Sequence, residues 1–374
     1  MASNGTVTIR EVVSSKDQKE FMQLPHRIYA DYPAWVAPLN MDLKKIFSPK
    51  YPFRDHSEMK FFLAEKNGQV VGRIAAVVDA DFVKKWDARI GHFGFFESVN
   101  DLEVAKALID TAENFLKERK MTMAQGPMNP STNYTCGFLI DAFDSSPYID
   151  MTYNPPYYIE MMEKLGYKKN VDLNAYFYLP EDVMAKRLNA LGAYICEKNG
   201  ITIRKLNLKK FKEEQEVLRE IYNDAWDDNF GFVPVSQKEF GFITGQMKDV
   251  AIPDLVLIAY IHGQLAGFVA AIPDYNIFMK PMKGKLTISG LFNILFNKKK
   301  IKATRVITFG IKKQFRKKGL DVALLNQLMI NWTALEFKEA ELSWILEHNQ
   351  QMIREIEKFG AKHYKTYRLF EKQL

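Results

Sequence analysis

"GQVVGRIAAV", from Gly68 to Val77, and "GQLAGFVAAI", from Gly263 to Ile272, are near copies 195 residues apart. Each follows a strand-like run, "MKFFLAEKN" or "DLVLIAYIH". Asn67-Gly68 and His262-Gly263 supply tight turns, so each copy predicts a β-hairpin. Hairpins are common, and one match decides little. Three further matches keep the order and nearly the same offset. "TIR" at Thr8 returns at Thr202, "IYAD" at Ile28 returns as "IYND" at Ile221, and "EKLGYKK" at Glu163 returns as "EKFGAKH" at Glu357. A shift of 193 to 195 residues is the size of a domain. The chain therefore reads as a tandem duplication and not as a solenoid.

Within each copy the expected order is strand, helix, helix, hairpin, strand, long helix, strand, helix, strand. In the second copy "LDVALLNQLMINWTALEF" has apolar residues three and four apart, the period of an amphipathic helix. "NQQMIREIEKFG" is a helix stopped by Gly360. A strand feeding a helix and then a strand makes a parallel pair, and the hairpin makes antiparallel ones. The sheet is mixed and the class is α+β. The expected division is 1–180, a linker helix over 181–200 ("EDVMAKRLNALGAYICEKNG") and 201–374.

Composition narrows the function. With 47% apolar and 26% charged residues in 374, the chain can bury two ordinary cores. Its net charge of +7 suits phosphate-bearing partners. That charge is spread along the chain, which argues against a nucleic-acid arm. The two cysteines, Cys136 and Cys196, have no metal-ligand or redox spacing, so no metal is expected. The N-terminus shows no secretory signal. The apolar run "LTISGLFNILF", from Leu286 to Phe296, is too short to span a bilayer. These features predict a soluble, cytoplasmic protein.

The candidate chemistry sits at "QFRKKGLDVALL", Gln314 to Leu325. A strand ending near Ile311 runs through Lys312, Lys313, Arg316, Lys317 and Lys318 to Gly319, and a helix then begins. Backbone N–H groups and the macrodipole at a helix start favour an anion. The run fits either an anion cradle or a solvated basic turn. In the first copy the matching helix, "DLEVAKALIDTAENFLKERK", opens on Asp101 and Glu103, which are good caps and poor phosphate hosts. The first-copy loop "GPMNPSTNYTCGFLIDAF" and the segment "YNPPYYIEMM" fit a site lining or a structural loop equally.

Arg316, Gly319 and the helix that follows resemble the hallmark of the GNAT superfamily of acyl-CoA N-acyltransferases, Arg/Gln-x-x-Gly-x-Gly/Ala. The family's later motif, Asn, then Tyr seven residues on, then Glu-Lys-Leu-Gly, is matched by Asn349 and "EKFG". The resemblance implies two tandem GNAT-like domains, the first degenerate and the second binding acyl-CoA or acetyl-CoA without a metal. It assigns donor binding to Phe309, Gly310 and Ile311 of the fourth strand, and to Arg316, Lys317, Lys318, Gly319, Leu320 and Asn349. Two positions depart from the pattern. Asp321 stands where Gly or Ala is usual, and Ile356 where a Tyr often serves as general acid. Asp321 would repel a diphosphate, so a carrier-protein thioester, which lacks the adenine nucleotide, is a second candidate donor.

"YNDAWDDNFGFVP", "ELSWILEHNQ" and "YKTYRLFEK" also resemble the two-domain acyltransferases that include bacterial ceramide synthases, which join a fatty acyl group to a long-chain amine. This implies a small-molecule or lipid amine as acceptor. The run at 286–300, apolar and ending in Lys298, Lys299 and Lys300, then fits an interfacial segment or an acyl-pocket lid, with peripheral membrane contact. Direct transfer needs a base, donors for the thioester oxygen and a dry slot. The base candidates are Glu341, Glu347 and His348, with Ser343 on the same strand face as Glu341. The expected function is N-acyl transfer. The alternative is a non-catalytic ligand-binding or regulatory module that kept the fold.

Overall fold

The computed structural model describes residues 5–180 and 182–374, the side chains of 182–188 excepted. Glu181, where the linker helix was expected to begin, lies outside the described residues. The first repeat opens with β1 (Thr8–Glu11), α1 (Ser15–Ile28), α2 (Asn40–Lys45), β2 (Ser57–Lys66), β3 (Gln69–Asp79) and α3 (Ala80–Trp86). It continues with β4 (Ile90–Ser98), α4 (Leu102–Glu118), β5 (Met123–Gly126), the short β6 (Met128–Asn129), β7 (Thr135–Cys136) and β8 (Phe138–Leu139), then α5 (Tyr157–Lys164) and β9 (Lys168–Tyr178). The linker helix α6 is Asp182–Lys198.

The second repeat follows the same order. Its elements are β10 (Ile201–Lys205), α7 (Phe211–Trp226), α8 (Gln237–Gly245), β11 (Val256–Ile261), β12 (Gln264–Pro273), α9 (Asn276–Met282) and α10 (Ile288–Phe296). Then come β13 (Ala303–Ile311), α11 (Leu320–Ala334), β14 (Glu339–Leu346), α12 (Gln350–Lys358) and β15 (Lys362–Gln373). The class is α+β with mixed pairing, as the repeated hairpins imply.

Both hairpins turn the same way. Asn67 and Gly68 have φ of 54° and 73°, and His262 and Gly263 have 49° and 78°. Two successive left-handed residues give the primed turn whose twist matches the strands. Bulges recur at matching places, between Ala64 and Glu65 in one hairpin and Ala259 and Tyr260 in the other.

The compact units overlap the repeat halves of 1–180 and 201–374 without coinciding with them. One unit runs through Leu173 and adds Phe278–Leu291 and Lys365–Leu374; the other is Asn174–Ile277 with Phe292–Tyr364. The exchange has a backbone reason. β5 is four residues long, and its edge is completed by the C-terminal strand, with Phe370 opposite Gly126 and Gln373 opposite Met123. An unpaired edge would leave donors and acceptors unsatisfied. In the first unit α4 packs Val104, Leu108 and Leu116 against Phe62, Ile74 and Phe93 of the sheet. In the second, Leu218 and Ile221 of α7 pack with Ile258 and Phe268.

One detail positions the chemistry. β13 and β14 are parallel and pair only from Ala303 opposite Glu339 to Val306 opposite Leu342. Beyond that rung the two strands part. On its other side β13 carries a register shift against β12, between Ala270 and Ala271, which skips Ile307. A bulge of this kind bends a strand and raises its twist. The first repeat does the same. β4 and β5 pair only over Ile90–His92 and Met123–Gln125, and β4 is bulged against β3 between Arg73 and Ala75.

Candidate active site

At the foot of the β13/β14 divergence four side chains form a buried chain of hydrogen bonds. Glu341 is fully buried. Its Oε1 accepts from Ser343 Oγ at 2.5 Å, and Arg305 Nε donates to that Oγ at 2.9 Å. Arg305 Nε is also 3.6 Å from Glu341 Oε1, and the hydroxyl of Tyr364 donates to Oε2. Two charges out of water require this much partnering. Glu341 and Ser343 share a strand face because side chains alternate along β14. Arg305 reaches them because it stands directly opposite Glu341 in the parallel ladder.

Of the proposed bases the structure joins Glu341 and Ser343 only. Glu347 and His348 lie past the end of β14, in the turn before α12. Six residues of strand would carry Glu347 about 20 Å from Glu341. Arg305 and Tyr364 went unrecognised in the sequence. Arg305 leaves a trace there, as the one charge in the strand "ATRVITFGI", where a buried cation must find an anion. Tyr364 leaves none, because its meeting with Glu341 depends on how β15 runs.

Above the foot, β13 continues as an open strand. Among the described residues, no side chain hydrogen-bonds to the backbone of 307–311, which includes Phe309, Gly310 and Ile311. Gly310 has a packing reason. A Cβ there would meet Trp226 at 2.3 Å, so the glycine lets the α7 indole lie against the strand. Trp226 in turn stacks on Tyr222 at 4.7 Å.

The basic turn leads from β13 to α11. Lys317 and Gly319 have φ of 62° and 73°, so the turn carries two left-handed residues just before α11. Gly319 is the N-cap of α11 and offers no side chain to the first-turn N–H groups, beginning with that of Leu320. A Cβ at Gly319 would also meet Ile195 of α6 at 2.8 Å.

The cationic field here is weaker than the run of five suggests. Lys312 pairs with Glu220, and Lys313 lies 2.9 Å from both Asp227 and Asp228, which raise it above the ordinary lysine range. Arg316 donates to the carbonyl of Ala225 at 2.7 Å. Lys317 and Lys318 remain exposed, without an ion pair among the described residues. The acids come from α7 and the two residues after it, about ninety residues earlier in the chain, and no local reading of the turn reveals them. Asp321 is half-buried and makes no hydrogen bond among the described residues, so it is not a side-chain cap.

Asn349 is the N-cap of α12 and accepts from Met352 N at 3.3 Å. Ile356 is buried beneath the same helix with Ile353. No cluster of metal-binding side chains occurs among the described residues, and none of their helices is long and apolar enough to cross a membrane.

The first repeat fills its own divergence. Asn129 Oδ1 accepts the N–H of Phe95 on β4 at 2.6 Å, and a Cβ on Gly94 would meet the carbonyl of Met128 at 1.7 Å. The segment containing β6 thus occupies the space beside β4. The Pro/Tyr-rich segment is spent on structure too. Tyr29 and Tyr158 both donate to Glu97 Oε2 at 2.8 Å, and Tyr157 donates to Ser98 O at 2.8 Å. Burial pushes Glu97 up and the two tyrosines well up from their ordinary values.

Known proteins match this architecture. The model of the acetyltransferase (GNAT) family matches residues 22–138, within the first repeat. Protein YghO of Escherichia coli (strain K12) is 34% identical over 98% of this chain and 95% of its own. Bacterial ceramide synthase of Caulobacter vibrioides is 34% identical over 100% and 99%. A solved tandem GNAT protein from the clavulanic acid biosynthesis pathway covers 98% of both chains with a TM-score of 0.57; at 12% identity it shows the fold alone. The chain therefore belongs to the GNAT acyltransferase family, in its tandem form, together with bacterial ceramide synthase.

Proposed function

We propose that the second repeat transfers a fatty acyl group from an acyl thioester to a long-chain amine, forming an amide. One observation carries the reading. The divergence of β13 and β14, where no described side chain hydrogen-bonds to the backbone of 307–311, runs from the buried Tyr364–Glu341–Ser343–Arg305 chain toward an uncapped helix start. In this reading the pantetheine arm lies along 307–311 and the phosphate end meets Gly319 and Leu320. The amine attacks the thioester carbonyl, the C–N bond forms, the C–S bond breaks, and the thiolate leaves. Tyr364 gives its proton to the sulfur and regains one from the nitrogen, so one proton passes from nitrogen to sulfur. Glu341 has no surface of its own, so it acts through Tyr364, whose half-buried hydroxyl it orients. Tyr364 then takes the place of the tyrosine absent at 356 as proton donor to sulfur. Backbone N–H groups of β13 stabilise the oxyanion.

Two donors suit the turn. Lys317 and Lys318 favour the phosphates of acyl-CoA. The acids on α7 and Asp321 favour a carrier-protein thioester, whose prosthetic group has one phosphate. The ceramide synthase relative, which matches over the whole chain, supports a lipid amine as acceptor. Incubating the purified chain with acyl-CoA or acyl-carrier protein and a long-chain amine should yield the N-acyl product by mass spectrometry. Donor binding by calorimetry without product from any pair would favour the alternative, a binding or regulatory module, for which the buried Ile356 is the specific argument.

A further inference from the structure

α10 is an amphipathic helix turned inside out. Ile288, Leu291, Phe292, Leu295 and Phe296 fall at i, i+3, i+4, i+7 and i+8, the stripe that a surface helix normally lays on its core. Here that stripe faces solvent, with exposures of 91, 43, 56, 48 and 71%. The opposite face holds buried Gly290 and half-buried Asn293 and Ile294. Gly290 lies so close to α9 that a Cβ would meet Met282 Sδ at 2.0 Å. Asn297, just past the helix end, donates to Asn293 at 2.6 Å. The amide of Asn293 is on the inner face and satisfied, while five apolar side chains are left in water. Single exposed apolar residues are ordinary, but a contiguous stripe on one short helix marks a docking face.

The charge around the stripe selects what docks. No Asp or Glu occurs between Asp274 and Asp321. Lys283 and Lys285 stand exposed before the helix, and Lys299 and Lys300 after it, none of them ion-paired with a described residue. An apolar ridge with lysines at both ends fits the boundary of an anionic bilayer, where rings and alkyl groups enter the acyl region and ammonium groups meet the headgroup phosphates. We propose that α10 docks the protein on anionic lipid bilayers as a peripheral, reversible anchor. The proposal does not depend on acyl transfer.

Flotation of the full chain tests it without turnover. With phosphatidylglycerol/phosphatidylcholine vesicles at low salt, the wild type should float. With phosphatidylcholine alone it should float at least tenfold less. The double variant Phe292→Ser/Phe296→Ser should lose at least tenfold in partitioning, with unchanged circular dichroism and melting temperature. Lys283→Ala/Lys285→Ala/Lys299→Ala/Lys300→Ala should lose the salt-sensitive part of binding. Failure to float at low salt, or floating that ignores the phenylalanine change, overturns the proposal. So does a dimer in light scattering that the double variant dissolves and vesicles do not, since the stripe would then cover a second copy of the chain.

Discussion

A short parallel ladder joins the fourth and fifth strands of both repeats, three rungs long in the first and four in the second, and the third rung differs. His92 stands opposite Gln125 in the first repeat, and Arg305 stands opposite Glu341 in the second. His92 is fully buried, its Nδ1 has no hydrogen-bond partner among the described residues, and burial pushes it down to about 4 despite the attraction of Asp79. It is therefore neutral at pH 7. Arg305 and Glu341 are joined through Ser343, and Glu341 accepts from the hydroxyl of Tyr364. Above the rung, Asn129 and Met128 meet the backbone of β4, whereas no described side chain hydrogen-bonds to the backbone of 307–311 on β13. Duplication preserved the frame, and the charged third rung stands in the second copy.

The largest effect should come from the hydroxyls. Tyr364→Phe should lower kcat on the order of a thousandfold, about 4 kcal/mol, and leave donor affinity unchanged, because the proton donor is lost and the slot is not. Tyr158→Phe removes the counterpart hydroxyl on Glu97 in the first repeat. It should leave kcat unchanged and cost roughly 1–3 kcal/mol of stability, the penalty for an unmet buried partner. Steady-state kinetics and urea melts read both. The family model matches 22–138, so the reverse result, turnover lost at Tyr158 and kept at Tyr364, would move the active site into the first repeat.

The second effect is a pH dependence belonging to the silent rung. The His92 value falls from 6.5 to about 4 on folding. Between those values the unfolded chain binds a proton that the folded chain refuses, so stability falls as pH falls from about 6.5 to 4. The full difference is about 3 kcal/mol. His92→Gln cannot titrate and should show a correspondingly flatter stability profile over that window, whatever its stability at pH 7. Equal slopes in wild type and variant would mean that His92 takes its proton inside the fold, and the rung would not be silent.

The frame was legible because local rules set it. Asn67-Gly68 and His262-Gly263 announce their turns, and the offset repeats across four elements. The rungs were not legible, since they depend on which residue of a parallel strand lies opposite which. Glu341 and Ser343 were found by alternation on one strand, whereas Arg305 and Tyr364 arrive from others. The five cations of the basic turn are legible in the sequence, but their pairing is not, because Glu220 of α7 and Asp227 and Asp228 just past its end approach from about ninety residues away. The apolar period of α10 was visible in the sequence, but which side of the helix faces water is decided by packing.

The smallest effect separates the two helix starts. Asp101 caps α4, accepting from Glu103 N at 2.9 Å and from Lys66 Nζ at 2.9 Å, and Lys66 holds it below the usual carboxylate range. Asp321 sits two residues further into its helix, past the N-cap Gly319, and makes no such bond among the described residues. Asp101→Ala should therefore cost about 1 kcal/mol of stability and leave donor affinity alone. Asp321→Ala gives up only the macrodipole term, roughly 0.3–1 kcal/mol. It should also tighten acyl-CoA binding about tenfold, some 1.4 kcal/mol. The ceiling is roughly 3 kcal/mol, for a phosphate charge about 5 Å away at an effective dielectric near 20. Because Lys317 and Lys318 are exposed, the gain should shrink as salt rises past about 0.1 M, where screening acts over about 10 Å. Calorimetry at two salt concentrations reads the difference. Unchanged affinity at low salt, with measurable binding in both proteins, would mean that the diphosphate does not meet the start of α11, and the two helix starts would differ in capping alone.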